Sequence, residues 1–438
     1  MSSNVAKASI LDHLRFNLFH VIPYLLKGVF TRNKRWMSWL TKLQRDPSSV
    51  RFLGKLREKY ASDFISLRLL TDRALLVFDP AAIQHILDYS PAIYAETKGK
   101  RKGMSHFQPD ALTISRGEAW RNRRDFNVSV LQAKGGIHRY ANHFLGLIRE
   151  MITQQNGCAP QNWDGFSKLF ETITLQVIFG KTESDTGLME ELKAMMLEAN
   201  NPLLAGFKSK YLEHFNKGIA DRLKSPPDHC LAALCRQTAS TDLTKVENQI
   251  PHWMFAMADT LAINTVAALA LISSHPDTEQ TVRDELALYP PVSAENISRL
   301  KYLEACIQEA MRLWPTTLML MREAITDDRI GATLIPQGTQ ILIHNGFNHR
   351  DIKSHSFADR FYPEFWMEKT VDYRFNHLSN GTQACAGKDL ALFIAKSVLA
   401  TLLVGYRYVT ESPSLRAQAP LPYAFDHFDV RFHRTPID

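Results

Sequence analysis

The chain has 438 residues, 45% apolar and 22% charged, without a low-complexity tract, so it can bury a large core and is neither disordered nor fibrous. Its five cysteines, Cys158, Cys230, Cys235, Cys306 and Cys385, share no repeated close spacing. That argues against a disulfide framework and a structural zinc site, and it suits a reducing, cytoplasmic location. The net charge of +7 and pI near 9.0 ask for an acidic partner or an anionic surface. The short basic runs at 32–35, 98–102 and 121–124 carry no nucleic-acid motif, and 98–102 reads as a solvated face.

Residues 14–30 read LRFNLFHVIPYLLKGVF. Arg15, His20, Pro23 and Lys27 interrupt a run already too short to span a membrane, and no small-residue cleavage site follows it. No transmembrane anchor is expected. The pattern leaves room for a peripheral amphipathic contact, so residues 1–45 form an N-terminal extension suited to surface association. Residues 64–78 read as two short strands joined at Thr71-Asp72, after which Asp79 caps a helix opened by Pro80.

Most of 117–320 reads as helix. The longest candidate runs from about Lys245 to Ser274 and stops before Pro276; at 1.5 Å per residue it spans roughly 45 Å. Another runs from about Ser298 to Trp314 and is stopped by Pro315. Strand-like pieces return over 324–345 around the turn Pro336-Gln337-Gly338, a last helix follows Cys385 to about Leu403, and 430–432 reads as a terminal strand. With no internal repeat or linker, the expectation is one domain over 1–438, mainly α with a small peripheral β region.

The stretch 379–390, SNGTQACAGKDL, places Cys385 between Gly381 and Gly387 at the mouth of that last helix. A helix N-terminus carries partial positive charge and free N–H groups, which favour thiolate over thiol. Such a cysteine serves as a nucleophile, as a metal ligand, or simply as a small buried hydrophobe. As a lone thiolate ligand in a chain without cysteine pairs, it fits haem iron better than zinc or an iron–sulfur cluster.

Gly381, Cys385 and Gly387 resemble the haem-binding signature F-x-x-G-x-[R/H]-x-C-x-G of the cytochrome P-450 superfamily, with Leu378 in place of Phe and Gln383 in place of Arg or His. Glu309 and Arg312 resemble its E-x-x-R, an i,i+3 pair on one helix face, 73 residues upstream of Cys385. Ala256–Thr260, AMADT, resembles its [A/G]-G-x-[D/E]-T, with Met257 for the usual Gly. Trp120 and Arg124 resemble its W-x-x-x-R, and Arg322 falls ten residues past Arg312, where the family often places another arginine. The stretch 357–366 resembles its P-E-R-F region, with Phe365 at the Arg position. The resemblance covers roughly residues 60–435.

This resemblance implies the cytochrome P-450 fold, in its bacterial-type soluble form, with haem b as cofactor. Cys385 would be the axial ligand of the haem iron, with Gly387 and Ala256 against the haem and Trp120, Arg124 and Arg322 at its propionates. Glu309 and Arg312 would brace the loop. Asp259 and Thr260 would pass protons to iron-bound O2 during monooxygenation of an apolar substrate such as a terpenoid, fatty acyl chain, steroid or polyketide. Met104, Phe107, Phe255, Leu318 and Met319 are candidate pocket walls. A chain of this length leaves no room for a flavin domain, so electrons are expected from a separate acidic ferredoxin or flavodoxin, docking near Lys388 and Arg121 or Arg123. The alternatives are a haem-thiolate peroxygenase or hydroperoxide isomerase, and a haem protein without catalysis.

Overall fold

The computed structural model describes residues 5–43, 45–70, 72–132, 136–153, 159–180, 186–201, 203–204, 207–368 and 372–437. Thr71 of the expected turn, and Cys158, lie outside them.

The longest run of apolar sequence becomes the axis of the molecule. Residues Ala262 to Ile272 are all buried, because helix Ala262–Ser274 is apolar on every face and can only sit inside. Trp163–Phe179, Lys301–Leu313 and Lys388–Gly405 pack around it and form the main core. The span Val246–Ser274 is long and apolar enough to cross a membrane, but 72% of its most apolar window is buried within the protein. The span is not uniform. Ile250–Phe255 is α-helical, Ala256–Leu261 widens into a π-helical turn, and α-helix resumes at Ala262.

Six strands form one sheet, in the order Ala6–Lys7, Phe64–Leu69, Asp72–Val77, Gln340–His344, Met319–Ala324, Tyr94–Ala95. Ala6–Lys7 runs parallel to Phe64–Leu69, and Asp72–Val77 parallel to Gln340–His344; the other neighbours are antiparallel. Side chains alternate faces. Ala74 and Leu76 join a core with Phe16 and Leu53, whereas Leu75 and Val77 join another with Ile83 and Tyr94. The strand expected at 430–432 is Arg431–Pro436, paired antiparallel with Tyr406–Ser412.

Asp79 accepts from Ala82 N at 2.8 Å and caps Pro80–Asp88, as the sequence suggests. The helix expected over 298–314 is instead two, Ala294–Arg299 and Lys301–Leu313, broken at Leu300, whose ψ of 77° is not helical. No Pro or Gly marks that break in the sequence.

Candidate active site

Cys385 lies just ahead of Lys388–Gly405, in a loop closed by Cys385 N donating to Leu378 O at 2.9 Å. Gly381 seats this loop on the helix Pro80–Asp88. Its φ is +66°, and a Cβ there would stand 2.4 Å from Leu87 O, so no other residue fits. Thr382 Oγ1 donates to Ser90 O beside it. Cys230, Cys235 and Cys306 are buried; among the described cysteines Cys385 alone is exposed. Burial nevertheless pushes its thiol pKa up, while the Gly387 N–H, Arg124 and Lys388 pull it down.

Behind the loop, Glu309 and Arg312 are fully buried and pair twice, each bond 2.7 Å long. Arg312 also donates to His349 O at 2.7 Å, Ala358 O at 3.0 Å and Arg360 O at 2.9 Å. Glu309 takes two further donors, Tyr362 N at 2.9 Å and Trp366 Nε1 at 2.8 Å. The indole N–H and this amide thus meet the demand that an arginine at position 365 would meet, and Phe365 itself stacks edge-on against Trp366 and Phe375. Burial lowers the His349 pKa and keeps the ring neutral. Its Nδ1 faces Arg312 O at 3.1 Å, and its Nε2 accepts from Asn376 N at 2.8 Å. Asn376 in turn binds Ser379 N and Asn380 Nδ2, so the brace reaches the residues next to Gly381 without a gap.

On the central helix, Phe255, Ala256, Asp259 and Thr260 are half-buried while Met257, Ala258 and Leu261 are buried. The π turn thus turns one face toward open space, and Met257, in the core, does not narrow it. Thr265 back-bonds to Leu261 O at 2.7 Å. Thr260 makes no such bond among the described residues, which leaves its hydroxyl available. Burial raises the Asp259 carboxyl to about 6, against the pull of Arg32 and Lys193. A cavity of about 240 Å³ opens beside it, lined among others by Arg32, Glu171, Lys193, Phe255 and Asp259. Lys193 and Glu171 pair there at 2.6 Å. The helix of Cys385 packs against this turn.

Gly117–Leu131 carries Trp120 and Arg124, both half-buried. Arg124 Nη1 donates to Ala384 O at 2.6 Å, which joins two motifs 260 residues apart. Arg322 is otherwise engaged. It is buried and pairs with Glu96 Oε1 at 2.9 Å, a strut between strand and loop rather than a free cation. Sequence reading missed Arg101 and Arg116, each of which holds a buried Nε with no partner among the described residues. Arg101 was hidden in the run KGKRK, which is no solvated face throughout. Arg123 is also reassigned. Bonds to Asp110, Ser115 and Leu243 O bury it, which leaves Lys388 and Arg121 as the exposed cations near the loop.

Of the expected pocket walls, Phe107 and Phe255 meet edge-on with ring centres 6.3 Å apart, and Met104 accepts a weak bond from Thr113 at 3.8 Å. Leu318 and Met319 pack instead into the core between sheet and N-terminal helices, because Met319 opens a strand whose alternate residues face that way.

A profile described as Cytochrome P-450 matches residues 203–417. The chain is 32% identical to the aromatase of Oryctolagus cuniculus over 395 residues, 79% of this chain and 75% of that protein. The chain belongs to the cytochrome P-450 family. Shorter alignments include the Canis lupus familiaris aromatase, 33% identical over 174 residues, 37% of this chain and only 33% of the relative's length. A cytochrome P-450 of Drosophila melanogaster is 29% identical over 171 residues, 38% of this chain and 34% of that protein. The fold superposes on a retinoic acid bound cyanobacterial cytochrome P-450 with TM-score 0.69 at 20% identity, covering 87% of this chain and 94% of the other. It matches a second crystal structure of the family with TM-score 0.72 at 18% identity, covering 89% and 94%.

Members of this oxidoreductase family carry haem b, and the residues of this cytochrome P-450 fit it. Cys385 is exposed, a helix face with Ala256 at its edge is half-buried, and the buried Nε atoms of Arg101 and Arg116 lack acceptors among the described residues, which haem carboxylates would supply.

Proposed function

We propose that this cytochrome P-450 is a monooxygenase that inserts one oxygen atom of O2 into an apolar organic substrate, with electrons from a separate acidic ferredoxin or flavodoxin. The observation that carries this reading is the intact acid–alcohol pair, Asp259 and Thr260, on a π turn whose hydroxyl is free of back-bonding. Cys385 would hold the iron, with Trp120, Arg124, Arg101 and Arg116 at the carboxylates; bound haem supplies the oxygen activation.

The chain's own part is proton and water control. Asp259, with a carboxyl raised to about 6, exchanges its proton near neutral pH, and the Lys193–Glu171 pair lies along the same cavity. Thr260 offers a hydroxyl one residue on. Phe255 presents apolar surface at the cavity and Phe107 packs behind it, which suits a terpenoid, steroid, fatty acyl or polyketide guest. The aromatase and retinoic acid relatives agree with an apolar guest without selecting one. A peroxygenase or isomerase needs no such proton route.

The test has two parts. Reduced protein under carbon monoxide should show the red-shifted Soret band of thiolate ligation, and Cys385→Ala should lose it. Thr260→Ala should then divert reducing equivalents from product to peroxide or water. Full coupling in Thr260→Ala, with the band intact, would reject the Thr260 relay while keeping the haem site, and product formed from hydroperoxide alone, with no use of reductant and O2, would reject the monooxygenase reading.

A further inference from the structure

The N-terminal helices leave a stripe uncovered. Ile10, Leu14, Leu18, Ile22 and Leu25 recur every three or four residues along Ile10–Lys27 and all are exposed, Leu14 by 64%. The inner face explains why the stripe cannot turn inward. Asp12 is buried and accepts from Lys59 at 2.6 Å, Tyr60 at 2.7 Å and Ser9 at 2.7 Å. Phe16, His20 and Val21 are buried on that same inner face.

Two other apolar outcrops adjoin the stripe. Helix Lys34–Lys42 exposes Trp36 and Trp39, which meet edge-on. Leu203 and Phe207 are exposed by 80% and 73%. The three are tied together at Asn200. Its Oδ1 accepts from Val29 N at 2.8 Å and Phe30 N at 2.9 Å, and its Nδ2 donates to Thr31 O at 2.8 Å. The end of the stripe, the start of the tryptophan helix and the segment beginning at 203 therefore share one anchor.

Charge selects the partner. Between residues 5 and 43 the only acidic residue is Asp12, which is buried, whereas Lys7, Arg15, Lys34, Arg35 and Lys42 are exposed. Lys208 and Lys210 flank the third outcrop. Aliphatic side chains on one face, a basic rim and exposed tryptophans are the chemistry of a helix lying in the plane of an anionic lipid surface.

We propose that this face docks the protein on an anionic bilayer, with the stripe of Ile10–Lys27 embedded at the headgroup boundary and Phe207 and Trp39 beside it. The inference does not depend on the chemistry at Cys385.

The test is flotation of the purified holoprotein with vesicles of phosphatidylcholine alone or mixed with phosphatidylglycerol. The wild type should float with the mixed vesicles and bind neutral ones at least about tenfold more weakly. The double variant Leu14→Glu, Leu18→Glu should remain in the dense fraction, with the haem spectrum and melting temperature unchanged because both positions are exposed. Lys34→Glu with Arg35→Glu should weaken binding by roughly tenfold or more. Failure of the wild type to float, or flotation of the Leu→Glu variant equal to wild type, would overturn the proposal. So would light scattering that shows a dimer dissolved by the Leu→Glu pair without any vesicle binding, since the face would then serve a second copy of the chain.

Discussion

The two sides of the site are built on opposite principles. On the cysteine side the brace behind the loop is fully partnered, although His377 Nδ1, Ser379 Oγ and Gln383 Oε1 in the loop itself have no partner among the described residues. Glu309 receives four donors, Arg312 donates to four carbonyls besides, and His349 is held at both nitrogens. On the opposite side, Asp259 has a raised pKa beside a cavity, Thr260 lacks the bond its neighbour Thr265 makes, and the helix itself is loosened into a π turn. A ligand to a metal must be fixed, so its support is saturated. Groups that move protons must change partners, so theirs is left open.

The comparison is broken most forcefully at Glu309. Glu309→Gln leaves the Arg312 guanidinium buried without its counter-charge, which should cost about 3–5 kcal/mol and deplete folded, haem-loaded protein. Denaturant unfolding monitored at the Soret band measures this. A loss below about 1 kcal/mol would mean the carbonyls around Arg312 suffice alone.

Asp259→Asn comes next and should act on rate rather than fold. Loss of an acid–base group predicts a fall of about a hundredfold in coupled turnover, about 2.7 kcal/mol, with substrate binding retained. Its pH signature has the opposite sign to an ordinary ion-paired carboxylate. The folded pKa of about 6 exceeds the ordinary aspartate value of 3.8, so the folded protein binds the proton more tightly. Stability attributable to Asp259 is complete below about pH 4, falls as pH rises toward about 6, and is flat above. The Asn variant should lose that slope, which unfolding between pH 4 and 7 would reveal.

Trp366→Phe sharpens the picture of the saturated side. It removes one of four donors to Glu309 and leaves Arg312 in place, so the expected cost is about 1–3 kcal/mol. A neutral effect would show that Tyr362 N alone replaces the absent arginine.

The sequence made the saturated side more legible than the open one. Cys385, Gly381, Glu309 and Arg312 announce themselves because their roles demand particular residue types at fixed spacing: a positive φ, a thiol, a charge pair one turn apart. The main helices and the strand pair at 64–77 follow from periodicity and breakers. Trp366 was illegible, since any indole or amide in the right place can stand in for a guanidinium, and that placement depends on tertiary packing. The pairing of Arg322 was not legible because its partner, Glu96, lies 226 residues away in sequence. Arg101 was hidden among lysines, where only burial separates an inward-facing cation from a solvated one. The helix break at Leu300 has no sequence marker at all.

The smallest effect concerns the outer edge of the cysteine side, where the saturated network meets solvent. Arg121 is exposed on the helix that also holds Arg124, with its charge uncommitted to any described acid. If an acidic carrier docks there, Arg121→Glu should raise the KM for that carrier by roughly three- to tenfold at low salt and leave substrate affinity unchanged. The difference should shrink as ionic strength rises and the Debye length falls toward a few ångströms. The neighbouring Lys388 is less suitable for this purpose, because it lies in the field of Cys385 and its removal would also shift the thiol. Arg121 separates the two roles: a change in carrier KM with an unaltered Soret band belongs to docking alone, whereas a shifted band would place Arg121 within the support of the loop.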